Sequence, residues 1–195
     1  MSSDRRPSDL QTAPEQPTAG VVVPVLDTVT CVTFLRDGPS VEHDVLRAFR
    51  AGDPDAFAWV VERVRIALAL HAGRLVVPPT VVVAVPGHRP GDRNEPCTAL
   101  IDALADHEGL VPAEPGVLVR IADGPEAKMM GRRDADQESR LLAWDGSRVP
   151  TGVRGILLVD DVVASGATLE AAFRAVPDRL KSITRALAVF RSVSG

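Results

Sequence analysis

The sequence predicts an α/β domain built on a mostly parallel central sheet flanked by helices. Three observations predict it. Segments rich in β-branched and aliphatic residues alternate along the chain with segments of helical periodicity. Two of the strand candidates, TVVVAV (80–85) and GILLVD (155–160), are nearly continuous apolar runs, as expected of strands covered on both faces. The length, 195 residues, suits one domain with a sizeable core.

Composition narrows the class. With 45% hydrophobic and 25% charged residues the chain reads as globular. A formal net charge of −4 gives no reason to expect a general binder of nucleic acid or of anionic membranes. Cys31 and Cys97 form neither a CxxC pair nor a disulfide framework, so isolated buried thiols are expected. Arg5 and Arg6 are followed by polar residues rather than an apolar signal region, and VVVPVL (21–26) is too short to span a bilayer. A cytoplasmic location is the expectation.

Residues 1–20, rich in Ser, Pro, Gln, Thr and acids, are expected to be a disordered tail, leaving 21–195 as the domain. TVTCVTFL (28–35) has the make-up of a strand. SVEHDVLRAFR (40–50) reads as a short helix ended by Gly52. Asp53 and Pro54 supply an N-cap and a first-turn proline for a stronger helix, with Gly73 as its stop. After the strand at 80–85, PCTALIDALADHEG (96–109) is expected to be helical and GVLVRIA (116–122) a strand. A charged stretch of little periodicity runs from Gly124 to about Ser139. GILLVD (155–160) is the clearest strand; a helix begins near Thr168, and ITRALAVF (183–190) completes the sheet. Ligands of such sheets bind beyond the carboxyl ends of the strands. Pro86–Arg89, residues 123–139 and Asp160–Thr168 therefore belong to one rim.

Asp160 and Asp161 leave the clearest strand together. Two adjacent carboxylates repel unless donors or a cation share the site. Beyond them VVASGAT (162–168) offers N–H groups at a helix start, where orphan donors and the dipole favour a phosphate. Gly166 admits close approach to the backbone, and Ser165 and Thr168 add hydroxyl donors. A diol beside a phosphate satisfies both halves. The plainer alternative is a turn capped by two aspartates in an ordinary strand–helix connection. A receiver domain also carries an acid pair after an apolar strand, but only 34 residues follow Asp161 (195 minus 161) and Arg179–Gly195 contains no Asp to be phosphorylated. Neither a GxGxxG nor a Walker-type pattern is present, which removes those nucleotide-binding classes.

The stretch ILLVDDVVASGAT (156–168) resembles, at every position, the phosphoribosyl-pyrophosphate signature of type I phosphoribosyltransferases. The resemblance implies a Rossmann-like type I phosphoribosyltransferase fold with a small N-terminal hood. It implies that Asp160 and Asp161 hold the ribose hydroxyls, with a Mg²⁺ ion bridging pyrophosphate and sugar. It further implies that Val162, Val163, Ala164, Ser165, Gly166, Ala167 and Thr168 wrap the 5′-phosphate.

A weaker similarity over residues 28–192 is to ComF-type competence proteins. It is carried by VTFLRDGPSVEHDVLRAFRAGD (32–53), the long helix after it, and VAVPGH (83–88). That group ends an apolar strand in Val-Pro-x-His, here Val85-Pro86-Gly87-His88. Type I enzymes bind pyrophosphate at the turn that follows, so Gly87, His88 and Arg89 are the matching positions; Pro-Gly is also a simple turn former. The chain departs from the group in three ways. It has no cysteine-rich zinc ribbon, it carries RNEPCTA (93–99) where the group has Gly-Phe-Asn-Gln, and DGPEAKMMGRRDADQESRLLAW (123–144) shows no matching Gln and Arg-x-x-Asn. The resemblance is therefore to a divergent ComF-type member.

The activity so implied is Mg²⁺-dependent transfer of ribose 5-phosphate from phosphoribosyl pyrophosphate to a nitrogen acceptor, a nucleobase or amine, with release of pyrophosphate. The alternative is a non-catalytic accessory or nucleotide-sensing protein. Type I enzymes close a flexible loop over the sugar at the position of 123–139. There Lys128, Arg132 and Arg133 either steady the departing pyrophosphate or belong to an ordinary solvated loop. Asp123, Asp134 and Asp136 are expected to be solvated. His71 and His107 read as structural residues at helix ends. Phe57 and Trp59 fit the buried stripe of their helix, and Trp144 is expected to pack in the core, with packing against a base as the alternative. The acceptor is expected between residues 28–50 and FRSVSG (190–195). Expected partners are phosphoribosyl pyrophosphate or a nucleotide and that acceptor, with no membrane and no direct nucleic-acid contact; the expectation leaves room for a homodimer.

Overall fold

The computed structural model describes residues 26–35, 40–123 and 135–193. The expected tail and Lys128, Arg132, Arg133 and Asp134 lie outside the described residues.

Strand β1 (Thr28–Leu35) precedes helix α1 (Val41–Arg50). Ser40 caps α1 by accepting the His43 N–H, and acids in the first turn with arginines in the last complement the helix dipole. Helix α2 (Pro54–Leu70) is capped by Asp53, whose carboxylate accepts the Asp55 and Ala56 N–H groups. It stops at His71, whose backbone leaves the helical region at φ −119° and ψ 23°, rather than at Gly73. Gly73 sits inside a separate short helix, α3 (Ala72–Leu75).

Strand β2 (Thr80–Ala84) is followed by helix α4 (Glu95–Ala103) and strand β3 (Leu110–Pro112). Next come strand β4 (Leu118–Arg120), helix α5 (Ala135–Ser139) and strand β5 (Leu142–Trp144). Strand β6 (Gly155–Val163), helix α6 (Ala167–Ala175), helix α7 (Asp178–Lys181) and strand β7 (Thr184–Val193) complete the chain.

Two expectations are corrected. The helix expected over 96–109 ends at Ala103, and turns over 104–109 lead into β3. The strand expected at 116–122 is β4, and it does not join the central sheet. It pairs antiparallel with β5, Leu118 opposite Trp144, in a sheet of two strands. An apolar run reveals a strand but not its neighbour, because the partner lies more than twenty positions away in sequence.

The central sheet has the order β1–β7–β6–β2–β3, and every neighbouring pair is parallel. Alternation along β6 divides the core. Leu157 and Val159 pack on one face with residues of α1, α2 and α4; Ile156 and Leu158 pack on the other with α6 and the β4–β5 pair. Phe57 and Trp59 are half-buried against the first cluster, with the Trp59 ring stacked on Phe190 at 6.5 Å, and Trp144 packs against the second. Burying each large aliphatic side chain in these layers contributes about 1.5–3 kcal/mol. No helix among the described residues is long and apolar enough to cross a membrane.

Chain direction fixes where a ligand fits. From β2 the chain passes through α4 to β3 on one side; from β6 it passes through α6 to β7 on the other. The connecting helices lie on opposite faces. The crevice beyond the carboxyl ends of β2 and β6 is thus a topological switch point, the usual ligand position of an open α/β sheet.

Candidate functional site

The crevice opens because β2 ends before β6 does. The ladder between them runs to Ala84 opposite Val159, with a last bond from the Val85 N–H to the Val159 carbonyl at 2.8 Å. Pro86 has no N–H and closes it. β6 continues to Val163, paired on its other side with β7. Asp160 and Asp161 therefore lie inside the strand at the point where its β2 edge becomes bare, and Val162 and Val163 are strand residues rather than loop.

Both carboxylates are buried, at 6% exposure for Asp160 and 8% for Asp161. Each folds back on its own strand: Asp160 accepts the Asp161 N–H at 3.0 Å, and Asp161 accepts the Val162 N–H at 2.7 Å. Arg50, the last residue of α1, donates from Nε to the other Asp161 oxygen at 2.5 Å. Among the described residues no salt bridge joins a cation to Asp160, which feels the Arg50 charge only through space. Burial first, and the Asp161 charge second, push the Asp160 carboxyl well above the usual carboxylate range. Sequence reasoning missed Arg50, because a bond across 111 positions leaves no local signal.

Asp160 and Asp161 bring two buried carboxylates to one crevice, with Arg50 paired to the second of them alone. Mg²⁺ usually takes one or two protein carboxylates with substrate phosphates and water, rather than an all-protein cage. Asp160 and Asp161 fit that mode. No group of three or more His, Cys, Asp or Glu side chains placed to hold a metal occurs among the described residues.

The helix start matches its expectation. Ala164 and Ser165 are exposed, Gly166 takes φ 81°, and Ala167 and Thr168 open α6. A side chain at that φ is disfavoured, which is why glycine suits the position. Ser165 Oγ accepts the Ala167 N–H at 3.3 Å, while no side chain caps at Gly166. The remaining first-turn N–H groups have no partner within the helix, the geometry that receives an anion.

Across the crevice the turn after β2 is tightly built. The Gly87 N–H bonds the Asp92 carbonyl at 3.1 Å, and Asn94 Nδ2 donates to the Val85 carbonyl at 3.1 Å. Glycine suits position 87, since a Cβ there would lie 1.9 Å from Asp92 Oδ2 and would displace that side chain. His88 and Arg89 are exposed on the outside of the turn. A cavity of about 630 Å³ lies on the β3 side of this turn, bounded by Ala84, Pro86, Arg93, Ile101, Val117 and Arg120. None of Asp160–Thr168 lines it. Concavity alone favours that cavity, but the bare β6 edge and the helix start favour the switch point, where polar groups converge.

Other expected residues fall away from the crevice. His71 caps α2, and His107 is a half-buried residue of the bend after α4 whose Nδ1 lies 3.2 Å from the Glu108 carbonyl. Asp123 is exposed as expected. Asp136 is exposed as expected, at 70% on its side chain, and also forms an ion pair with Arg174 of α6, since α5 packs on that helix. No family model matches this chain, and no curated protein matches it.

Proposed function

We propose that the crevice between β2 and β6 binds phosphoribosyl pyrophosphate with Mg²⁺, and that the chain is a phosphoribosyltransferase-type protein of the type I fold. The observation that carries the reading is the adjacency of β2 and β6. It sets the Gly87 turn beside the aspartate pair and the start of α6 in one crevice.

In this reading Asp160 and Asp161 accept from the ribose hydroxyls, Ala164–Thr168 surround the 5′-phosphate, and Gly87, His88 and Arg89 face the pyrophosphate. The C1–O bond to pyrophosphate breaks, the acceptor nitrogen's lone pair forms the new C1–N bond, and the acceptor's proton leaves to water. Positive charge builds on the sugar and negative charge on the leaving group. Exclusion of water and cations near the pyrophosphate, the role proposed for Lys128, Arg132 and Arg133, then do more than any protein nucleophile. Mg²⁺, when bound, would neutralise the pyrophosphate and favour its departure. A cytoplasmic location goes with this reading.

Thermal melts with Mg²⁺ and phosphoribosyl pyrophosphate test it. A ligand that binds the native state alone raises the melting temperature by mass action. The rise should vanish in the double variant Asp160→Asn/Asp161→Asn. An equal rise in both proteins, or none in the wild type, would reject the site.

One observation favours a second reading, that of a non-catalytic sensor: both carboxylates are buried and Arg50 already sits on Asp161. Pyrophosphate release across a panel of purine, pyrimidine and amine acceptors separates the two. Turnover with any acceptor rejects the sensor; binding without turnover supports it.

A further inference from the structure

Arg120 ends β4 with a side chain wholly removed from solvent, at 0% exposure. Its Nε donates to the Gly87 carbonyl at 2.6 Å, and its Nη2 donates to Glu138 of α5 at 2.9 Å. The Glu138 side chain is itself 4% exposed. Desolvating such a pair is costly, and apolar replacements of similar volume are often as stable. Stability alone therefore does not account for placing an ion pair here.

Geometry supplies another account. A guanidinium is a rigid planar fork, so its two donors are fixed relative to one another. With Nη2 anchored on α5, Nε can hold the Gly87 carbonyl in one direction only. The peptide that follows is planar and trans, so fixing the Gly87 carbonyl also turns the His88 N–H to the opposite side, away from the buried arginine. Asp92 and Asn94 brace the same turn from within. In sequence α5 directly follows residues 124–134, which include Lys128, Arg132 and Arg133.

We infer that Arg120, with Glu138 as its counter-ion, is a positioning residue that orients the Gly87–His88 peptide and ties the turn after β2 to the helix following the 124–134 segment. Its ligand consequence rests on the reading of the crevice given above: the turn so held is the one presented to pyrophosphate.

Two variants test it. Arg120→Lys keeps a cation beside Glu138 but lacks the second fixed donor. The double variant Arg120→Met/Glu138→Gln removes both charges and so leaves no buried ion unpaired. Hydrogen exchange at the Gly87 and Asp92 amides reads the turn, with the Glu170 amide in α6 as the reference. In both variants the turn amides should exchange about tenfold faster while Glu170 is unchanged. Calorimetry with inorganic pyrophosphate and Mg²⁺, and separately with ribose 5-phosphate, reads the consequence. Pyrophosphate affinity should fall about tenfold and ribose 5-phosphate affinity should hold within about twofold. Unchanged turn exchange overturns the inference, and so does equal weakening of both ligands, which would mark a general structural role. Failure of the wild-type protein to bind either ligand would reject the functional reading instead, with the exchange comparison still deciding whether Arg120 holds the turn.

Discussion

The guanidinium of Arg50 donates to Asp161 at 2.5 Å, joining the end of α1 to the bare edge of β6. It sets a positive group against a buried carboxylate, while at the neighbouring Asp160 burial and the Asp161 charge outweigh the Asp161 N–H bond and the more distant Arg50 charge. Any cation brought by a ligand must share this position with the arginine.

Removing that cation should cost stability and open the site to another. Arg50 is 46% exposed on its side chain, so solvent screens the pair and Arg50→Gln should lose only about 1–2 kcal/mol. Millimolar Mg²⁺ should restore part of the loss in the variant and scarcely move the wild type without ligand. Melts with and without Mg²⁺ check this, and equal Mg²⁺ shifts in both proteins would contradict it.

Asp160 should make stability fall as pH rises. Burial, followed by the Asp161 charge, raises its carboxyl well above the ordinary 3.8, and the Asp161 N–H bond only partly opposes this. A carboxyl raised in the folded state stabilises the fold while protonated. That contribution is complete below the ordinary value and is lost as pH climbs through the folded one. Asp160→Asn keeps an acceptor for the Asp161 N–H without the charge. The variant should be the more stable protein near neutral pH, its advantage growing by at most about 1.4 kcal/mol per pH unit and closing toward about pH 4. Melting curves across that range decide it; a wild type stabler at every pH would refute the assignment.

Gly87→Ala should disturb the turn through a single neighbour. The new Cβ meets Asp92 Oδ2 at 1.9 Å and Cγ at 2.1 Å. Asp92 must swing out and give up its bond to the Asn94 N–H, now 3.1 Å long. A loss of about 1–2 kcal/mol is expected. Asp92→Ala in the same background should recover part of it, so the two substitutions should be strongly non-additive in a denaturation cycle. Simple addition would show that the clash is relieved elsewhere.

Neither cysteine should behave as a reactive thiol. Cys97 is fully buried, and burial followed by the charges of Asp161 and Asp160 holds its thiol well above the ordinary 9.0. Burial pushes Cys31 up to about 12. Since the thiolate is the nucleophile, iodoacetamide near pH 8 should spare both in the native protein and label both in denaturant. Rapid native labelling of Cys97, which lies behind the aspartate pair, would mean that this part of the core opens readily.

Much of the fold was legible in local signals. The cap at Asp53, the apolar runs of β2 and β6, and the glycine at the start of α6 each act within a few residues. β3 was not legible, because three residues ending in proline give too short a pattern to separate from the helix before them. The end of β6 was misplaced for a different reason: Asp160 and Asp161 read as the close of a strand, yet pairing with β7 carries the strand past them.

The sequence by itself determined the class of the fold, the position of the paired aspartates beside a helix start, and the turn at Gly87, since each follows from periodicity, backbone freedom or a run of a few residues. Only the tertiary structure decided which strands are neighbours. With that it decided that Arg50 meets Asp161 and that Arg120 joins Gly87 to Glu138. The physical reason is range: helix caps and turns are settled by bonds along the chain, whereas buried charges find partners through sheet order, which brings together groups that no local pattern connects.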